Sequence, residues 1–424
     1  MDTFLENKQD RKRKGWMYFA AFSSIFIMTY VMFQKQAQLT VSSDIVTHMK
    51  YILSLDQVLK LTHCGWHFIC WLFYACLPIT PAQAAVLVTS LFNGIFAVLV
   101  AWLADQYLIQ GTQAGKSGKK MAYLPAMISF VACTVGPLYL RFYNANYYKG
   151  QGTANVWHNP TVIAVRPFMI VIDVLTLGYW EWRKEEKTGE ERKAWKKKLR
   201  RYQYLLTVLL AISTLIKPSF LMVYLPVCAI AELWRLIKEK QSLKAWGDTI
   251  KKNLYFLPSL LIFLWQYLKI YIIGGEASGE GGIAIAFFKV ARSYAPSVVI
   301  SLGLKMAFPV LVIFIWRKKI FKERMFPLIF AQFIMGLLIS WTFTETGRRA
   351  AHGNFGWGNV LAASFLWVFC LIFYLREMLE DRQKLRTDQK CRWKYGIPFL
   401  FLVWHLLAGL CYYWELLHDM GRQL

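Results

Sequence analysis

Apolar segments of about 20 residues recur along the whole chain and are separated by short polar loops, many of them basic. A helix needs about 20 mostly apolar residues to cross the hydrocarbon core of a bilayer. The pattern therefore predicts a helical protein that crosses a membrane many times. Twelve candidate segments can be distinguished: 15–35, 63–78, 84–108, 121–140, 161–182, 204–216, 220–236, 254–274, 297–316, 325–343, 359–379 and 395–414.

The composition excludes a disordered chain and an ordinary soluble domain, because 56% of the 424 residues are hydrophobic and only 18% are charged. The net charge is +25, but the basic residues form short runs between apolar segments rather than one face. We therefore expect no nucleic-acid partner. The eight cysteines are scattered and form no CxxC pair, which is typical of small buried apolar residues rather than disulfides or metal ligands.

The basic loops predict the orientation of the chain, because loops rich in lysine and arginine remain in the cytoplasm. All of these loops fall on one side only if segment 63–78 does not cross the membrane. That segment is short and contains His63 and His67, as expected for a helix lying at the membrane surface. The sequence therefore predicts about eleven transmembrane helices, a cytoplasmic N-terminus and an outer C-terminus. The basic loops are 1–14, 111–120, 183–201, 238–252, 317–324 and 376–394.

We interpret 1–424 as a single all-α integral-membrane domain, whose first helix stays as an anchor because its apolar run is too long for a cleaved signal peptide. The topology places four polar loops outside the cytoplasm. The first carries one or two interfacial helices. The predicted outer loops are 36–83, 141–160, 275–296 and 344–358.

The first outer loop contains an unusual acidic site, in which Asp44 and His48 are four residues apart just after the first apolar helix. A carboxylate at the edge of a bilayer loses hydration unless it is paired or has a chemical role. Asp44 is therefore a candidate catalytic acid or base on the outer surface. The alternative is a helix cap, because Ser42-Ser43-Asp44 precedes an apolar run.

The second outer loop ends in Trp157-His158-Asn159-Pro160 and is rich in aromatic and amide side chains. Such side chains can stack on sugar faces and bond their hydroxyl groups, so Trp157, His158 and Asn159 are candidate substrate-binding residues. The alternative is an interfacial aromatic belt followed by a helix that starts at the proline.

The last outer loop concentrates polar groups between several glycines. Guanidinium groups bind phosphate with two parallel hydrogen bonds, so Arg348 and Arg349 are candidate ligands for a lipid phosphate. Glu345, His352 and Asn354 are candidate substrate-binding residues beside them. The alternative is a solvated connection whose arginines meet lipid headgroups.

Charged residues also occur in or next to the apolar segments, where they usually face a partner or a cavity. Arg166 and Asp173 are seven residues apart, which puts them on one face of a helix. Lys217 would lie near the outer leaflet. The remaining examples are Lys269, Lys305 and His405.

With Asp44 placed outside after the first span, the chain resembles the GT-C superfamily of integral-membrane glycosyltransferases. Those proteins have many spans, a long first outer loop with surface helices and an acidic residue near its start. The resemblance is architectural, covers the whole chain and rests on Asp44 as its one specific residue. In this chain Asp44 is followed by Ile-Val-Thr-His, whereas some members have an acidic pair.

The resemblance implies transfer of a sugar from a polyprenyl-phosphate or polyprenyl-pyrophosphate carrier to an acceptor outside the cytosol, in a bacterial cytoplasmic membrane. Asp44 would be the base, and His48 would orient it or touch the acceptor. Arg348 and Arg349, with Lys217 or Arg166, would hold the phosphate.

The need for a divalent metal stays open, because Asp44, His48, Glu345 and His352 could supply ligands but no metal motif is present. Two other functions also remain possible on the sequence. One is another membrane transferase or a glycan polymerase with His158, His352 or His405 as its base. The other is a carrier that moves lipid-linked sugars through its buried charges.

Overall fold

The computed structural model describes residues 8–38, 43–111, 123–140, 142–143, 152–185, 187–273, 282–347, 350 and 352–418. Within these ranges the chain is almost entirely helical, as its sequence predicts. Seventeen α-helices are present in the described ranges: α1 Lys8–Ala37, α2 Ile45–Met49, α3 Leu55–Lys60, α4 Gly65–Cys76, α5 Pro81–Gly111, α6 Leu124–Thr134, α7 Pro160–Lys184, α8 Glu191–Ile216, α9 Ser219–Lys238, α10 Leu243–Lys252, α11 Leu257–Tyr267, α12 Lys289–Tyr294, α13 Val298–Ile320, α14 Phe326–Thr342, α15 Trp357–Glu380, α16 Lys384–Thr387 and α17 Gln389–Leu417.

Within the described ranges, eight stretches of helix are long and apolar enough to span a membrane, and this confirms the prediction of a polytopic membrane protein. Two shorter apolar helices, α6 and α14, accompany them. The most enclosed stretch is that of α15, which packs against α14, α9, α13 and α5. The eight stretches are Arg11–Ala37, Pro81–Leu108, Pro160–Lys184, Ser219–Lys238, Leu243–Ile272, Val298–Ile320, Asn354–Glu380 and Gln389–Leu417.

Helix α4 corresponds to the segment 63–78 that was expected not to cross. It has 12 residues, which at about 1.5 Å per residue gives a length of about 18 Å. The hydrocarbon core of a bilayer is about 30 Å thick. This helix is therefore too short to cross by itself, and it packs against α5 and α8.

The segment 121–140 differs from the prediction of one helix, because α6 ends at Thr134 and residues 135–140 continue without helical structure. Gly136-Pro137 explains the break, since the residue before a proline is driven out of the helical region. The non-helical backbone bonds to later helices instead. The Leu138 amide donates to the Leu304 carbonyl at 2.9 Å, and the Gly136 amide donates to the His405 carbonyl at 3.0 Å.

Residues 152–159 form a second non-helical segment, and from Thr153 to Asn159 every residue is buried. Buried side chains supply the hydrogen bonds that this backbone and its surroundings need. The Gln36 amide donates to the Trp157 carbonyl at 2.5 Å. The Asn155 amide donates to the carbonyls of Ala132 and Val135, both at 2.9 Å. Irregular backbone among membrane helices is tolerated only where protein or a cavity surrounds it, and here protein does.

Ion pairs join the helix ends that carry the basic loops, and we call this side of the molecule the basic end. Glu232 of α9 pairs with Arg183 of α7. Arg324, before α14, pairs with Glu181 of α7. Two further pairs, Arg376–Glu323 and Lys14–Asp105, bring the end of α15 and the start of α1 into the same set. The helix ends that border the basic loops therefore lie on the same side of the molecule.

A short two-stranded antiparallel sheet lies at the other side, between β1 (Ile283–Ile285) and β2 (Phe343–Glu345). Ile283 is opposite Glu345 in this sheet. Strand β2 directly follows α14, which begins at the basic end. Glu345, which lies in β2, is therefore at the end of the bundle opposite the basic end, where the pairing with β1 holds it.

Candidate functional site

Asp44 lies immediately before α2, but its side chain does not cap that helix. Its carboxylate instead accepts a hydrogen bond at Oδ2 from the Asn159 side-chain amide at 2.6 Å. Asp44 is exposed, and within the described part of the chain no group bonds to its Oδ1. One carboxylate oxygen is thus fixed while the other is accessible.

Asn159 holds this position because it is the N-cap of α7, where Pro160 is the first helical residue. Its Oδ1 accepts from the Val162 amide at 3.0 Å and from the Thr161 hydroxyl at 2.9 Å. With the oxygen engaged in the cap, the NH₂ group is left to face Asp44. The helix N-terminus is also a favourable place for a negative charge. The sequence prediction of a proline-started helix is confirmed, and the cap residue is also the partner of Asp44.

Lys217 extends this network from the turn between α8 and α9. Its Nζ donates to the Thr161 hydroxyl at 3.2 Å and lies 5.0 Å from the centre of the Trp357 ring. Burial lowers the pKa of Lys217 to about 8, and the nearby Asp44 carboxylate opposes this shift. Lys217 therefore carries a positive charge at neutral pH within the electrostatic reach of Asp44.

The sequence suggested that His48 would orient Asp44 or touch the acceptor, and in the structure its ring contacts a second histidine instead of Asp44. Its Nδ1 lies 2.9 Å from Nε2 of the buried His67 in α4. Burial, together with the nearby His67, Lys217 and His63, lowers the pKa of His48 to about 3. Burial also lowers the pKa of His67 to about 4, although its bond to the backbone of His63 opposes the shift. Both rings are therefore neutral at physiological pH.

Glu345 lines a small pocket at the same end of the molecule, with a volume of about 150 Å³. Its carboxylate accepts from the Tyr271 hydroxyl at 2.8 Å and from the Asn354 amide at 2.6 Å. Aromatic rings with a fixed carboxylate suit a ligand that has an apolar face and hydroxyl edges. The lining includes Val290, Trp341, Phe343, Glu345, Asn354 and Phe355.

The two groups of residues are linked through the start of α15. Asn354, which bonds Glu345, lies in the single turn of 3₁₀ helix 354–356. Trp357 follows directly, beneath the Lys217 ammonium and with its ring centre 6.0 Å from that of His158. This turn therefore contacts the Glu345 pocket directly and is joined to Lys217 through Trp357.

Several candidate residues have surroundings that differ from those expected. Trp157 is buried, and its ring packs against Tyr413 with the centroids 5.1 Å apart, so it is neither in an aromatic belt nor on an open loop. His158 is also buried. Arg166 is buried in α7, where it donates to Asn155 at 2.6 Å and lies over the Phe96 ring. That arginine braces the 152–159 segment instead of reaching the Lys217 network.

The structure says less about the remaining candidate site residues. His352 is exposed. Arg348 and Arg349 lie outside the described residues. Among the residues that the structure describes, no group of three or more histidine, cysteine, aspartate or glutamate side chains is arranged to hold a metal ion.

The geometry adds residues that sequence reasoning had not assigned to the site. Thr161 and Trp357 carried no signal, because neither is charged or unusual at its position. Lys305 was noticeable as a charge in an apolar segment; it is buried in α13 and donates to the Asn359 side chain at 2.8 Å. The four-residue spacing between His63 and His67 is visible in the sequence. The contact between His67 and His48 is not.

The fold therefore defines an integral membrane protein with a polar site at one end of a helical bundle. No known protein family matches the chain, and no curated protein matches its sequence.

Proposed function

We propose that this protein is a membrane glycosyltransferase of the GT-C type. It would transfer a sugar from a polyprenyl-phosphate or polyprenyl-pyrophosphate carrier to an acceptor on the extracytoplasmic side. The observation that carries the proposal is the Asp44 carboxylate, fixed at Oδ2 by Asn159 and accessible at Oδ1, with the Lys217 cation in its field. This is the pairing that inverting glycosyl transfer needs, a base for the attacking hydroxyl and a cation for the departing phosphate.

In the proposed reaction, the acceptor hydroxyl oxygen attacks C1 of the sugar while its proton passes to Asp44 Oδ1. The bond between C1 and the phosphate oxygen breaks, and its electron pair leaves with the lipid phosphate. The Lys217 ammonium stabilises that negative charge. Arg348 and Arg349 remain proposed contributors to phosphate binding. The Glu345 pocket would receive the sugar ring, with its aromatic residues against the apolar face.

We further propose that eleven helices cross the membrane, namely α1, α5, α6, α7, α8, α9, α11, α13, α14, α15 and α17. The ion pairs at the basic end support this topology, because every helix end that they join falls on the cytoplasmic side when these eleven helices cross. Helix α6 would complete its crossing through the extended residues 135–140. By the positive-inside rule the basic end faces the cytoplasm, which puts Asp44 outside in a bacterial cytoplasmic membrane.

The test is donor turnover by the full chain in lipid nanodiscs supplied with a panel of undecaprenyl-phosphate hexoses. Free undecaprenyl phosphate is measured by mass spectrometry, with water or an added alcohol as the acceptor. Asp44→Asn should still retain donor but should lose at least about 100-fold in turnover, the typical contribution of a general base. Asp56→Asn is the matched control, because Asp56 is exposed and pairs only with Lys60 in the described structure.

Asp44→Asn turning over donor at the wild-type rate would overturn the role of Asp44. Wild-type protein that binds the donor but never releases its sugar would instead favour the carrier. A loss of turnover in His158→Ala with full activity in Asp44→Asn would favour a transferase whose base is histidine.

A further inference from the structure

Three groups in the first outer loop and α4 form a chain of hydrogen bonds beside Asp44. The first is the backbone carbonyl of His63, which contacts Nδ1 of His67 at 3.0 Å. The second is the His67 ring, whose Nε2 contacts Nδ1 of His48 at 2.9 Å. The third is the His48 ring. The His67 ring uses both of its nitrogens and the His48 ring uses Nδ1, and the order of these bonds fixes where the protons lie.

The order follows from the carbonyl, because a carbonyl oxygen can only accept. Nδ1 of His67 must therefore carry a proton and donate to the His63 carbonyl. A neutral imidazole has one proton, so Nε2 of His67 has only a lone pair and must accept. Nδ1 of His48 then carries the proton of the second bond. Nε2 of His48 is left with a lone pair.

The surroundings keep both rings in this state. His67 is buried and His48 is half-buried, and the Lys217 ammonium disfavours a second positive charge on either ring. The other neighbours of His48 are the Trp66 ring, with its centre 5.7 Å away, and His63. Within the described part of the chain, no group bonds to Nε2 of His48, so this lone pair is available to a ligand.

We propose that His67 is a positioning residue that sets the tautomer of His48, so that His48 Nε2 accepts a hydrogen bond from a hydroxyl group of the sugar acceptor. The neutral ring orients the hydroxyl, and Asp44, one helical turn earlier, takes its proton. The hydroxyl role rests on the proposed glycosyl transfer. The tautomer is independent of it and can be measured separately.

The first test is nitrogen NMR of the full chain in nanodiscs with ¹⁵N-labelled imidazoles, assigning His48 by its absence in His48→Phe. Wild-type His48 should show protonated Nδ1 and bare Nε2 from pH 6 to 8. His67→Phe removes the acceptor and should give a mixture of tautomers or a charged ring. His67→Gln offers a side-chain oxygen to His48 and should restore the wild-type signals. His63→Ala is the matched control, because it keeps the carbonyl that His67 uses.

The second test is donor turnover in the same variants. His67→Phe should lose about 10-fold, the rate equivalent of one hydrogen bond, and His67→Gln should stay within about 2-fold of wild type because it keeps that bond. Wild-type His48 signals in His67→Phe would overturn the positioning role. An altered tautomer with full turnover would overturn the hydroxyl role. Absence of turnover in the wild type would refute the proposed function, while the NMR result would still decide the tautomer.

Discussion

Asn159 donates to the Asp44 carboxylate at 2.6 Å across 115 residues of sequence, while the oxygen of the same amide caps α7. The cap thereby fixes which way the amide points. A carboxylate in the first outer loop is in this way positioned by the start of a helix near the middle of the chain.

The two roles of Asn159 can be separated by substitution. Asn159→Ser keeps a side-chain oxygen for the Val162 amide but removes the NH₂ group that reaches Asp44, whereas Asn159→Ala removes both. We expect Ser to be more stable than Ala by about 1 kcal/mol, the usual value of an N-cap. Turnover of the lipid-linked sugar should fall equally in both variants. Thermal unfolding and turnover measure the two effects, and wild-type turnover in Asn159→Ser would show that the contact with Asp44 is dispensable.

Lys217 predicts a pH dependence of lipid binding. Burial lowers its pKa from the ordinary 10.5 to about 8, so its charge is lost as the pH rises through about 8. Retention of undecaprenyl phosphate in nanodiscs should therefore decline between pH 7 and 9. Lys217→Arg stays charged and should abolish this decline. Lys217→Met should retain little lipid at any pH, and a wild-type profile unchanged in Lys217→Arg would count against this site.

The same shift predicts the effect of Lys217 on stability. Between pH 8 and 10.5 the unfolded chain binds more protons at this residue than the folded chain does. The free energy of unfolding should therefore gain a favourable contribution as the pH rises across that interval. Thermal unfolding of wild type against Lys217→Met over this interval measures the contribution, and a difference that is constant with pH would contradict it.

Replacing Gly409 of α17 by alanine should cause a severe steric clash. A Cβ at this position would overlap the Thr134 carbonyl oxygen, and one at Gly136 would lie 2.8 Å from the Gly409 Cα. We expect Gly409→Ala to give little folded protein by size-exclusion chromatography. Gly396, on the same helix, has open space around it, and Gly396→Ala should be neutral or stabilising by up to about 1 kcal/mol. A monodisperse Gly409→Ala with wild-type melting would show that the two segments can move apart.

The ion pairs of the basic end should contribute unequally. Glu232 is 9% exposed and accepts from both Arg183 and Arg235, so Glu232→Gln leaves a largely buried guanidinium without a carboxylate. We expect a loss of about 3 kcal/mol in the free energy of unfolding. Glu181→Gln breaks a half-exposed pair with Arg324 and should cost less than about 1 kcal/mol. Denaturant titration of both variants measures these losses in the free energy of unfolding. Equal losses would refute the ranking of the two ion pairs.

Much of the helical framework could be predicted from sequence, because length and hydropathy suffice to identify a crossing helix. Segment 121–140 was the exception. Hydropathy indicates that a residue is buried or in lipid, but not whether its backbone is helical. The apolar residues after Thr134 were therefore predicted to be helical. The Gly136-Pro137 pair was the local signal of the break.

The site was less predictable, because its contacts join distant residues. Asp44 was noticeable as a charge at a membrane edge, but its bond to Asn159 depends on packing between α2 and α7. The spacing of His48 from Asp44 allowed them to interact, and the ring instead faces His67. Arg166 and Lys305 were equally noticeable in the sequence. The rotation of each helix about its axis decides which neighbours they meet.

The largely buried non-helical segments 135–140 and 152–159 constrain the order in which the protein can be assembled during synthesis. Gly136 bonds to His405 and Trp157 packs against Tyr413, and both partners belong to α17. The ribosome makes α17 long after both segments. Until it is inserted, the surroundings of residues 135–140 and 152–159 are incomplete, with polar backbone that α17 has yet to cover. A nascent chain that stops before α17 would lack these contacts, so quality control of the protein should depend on the insertion of α17.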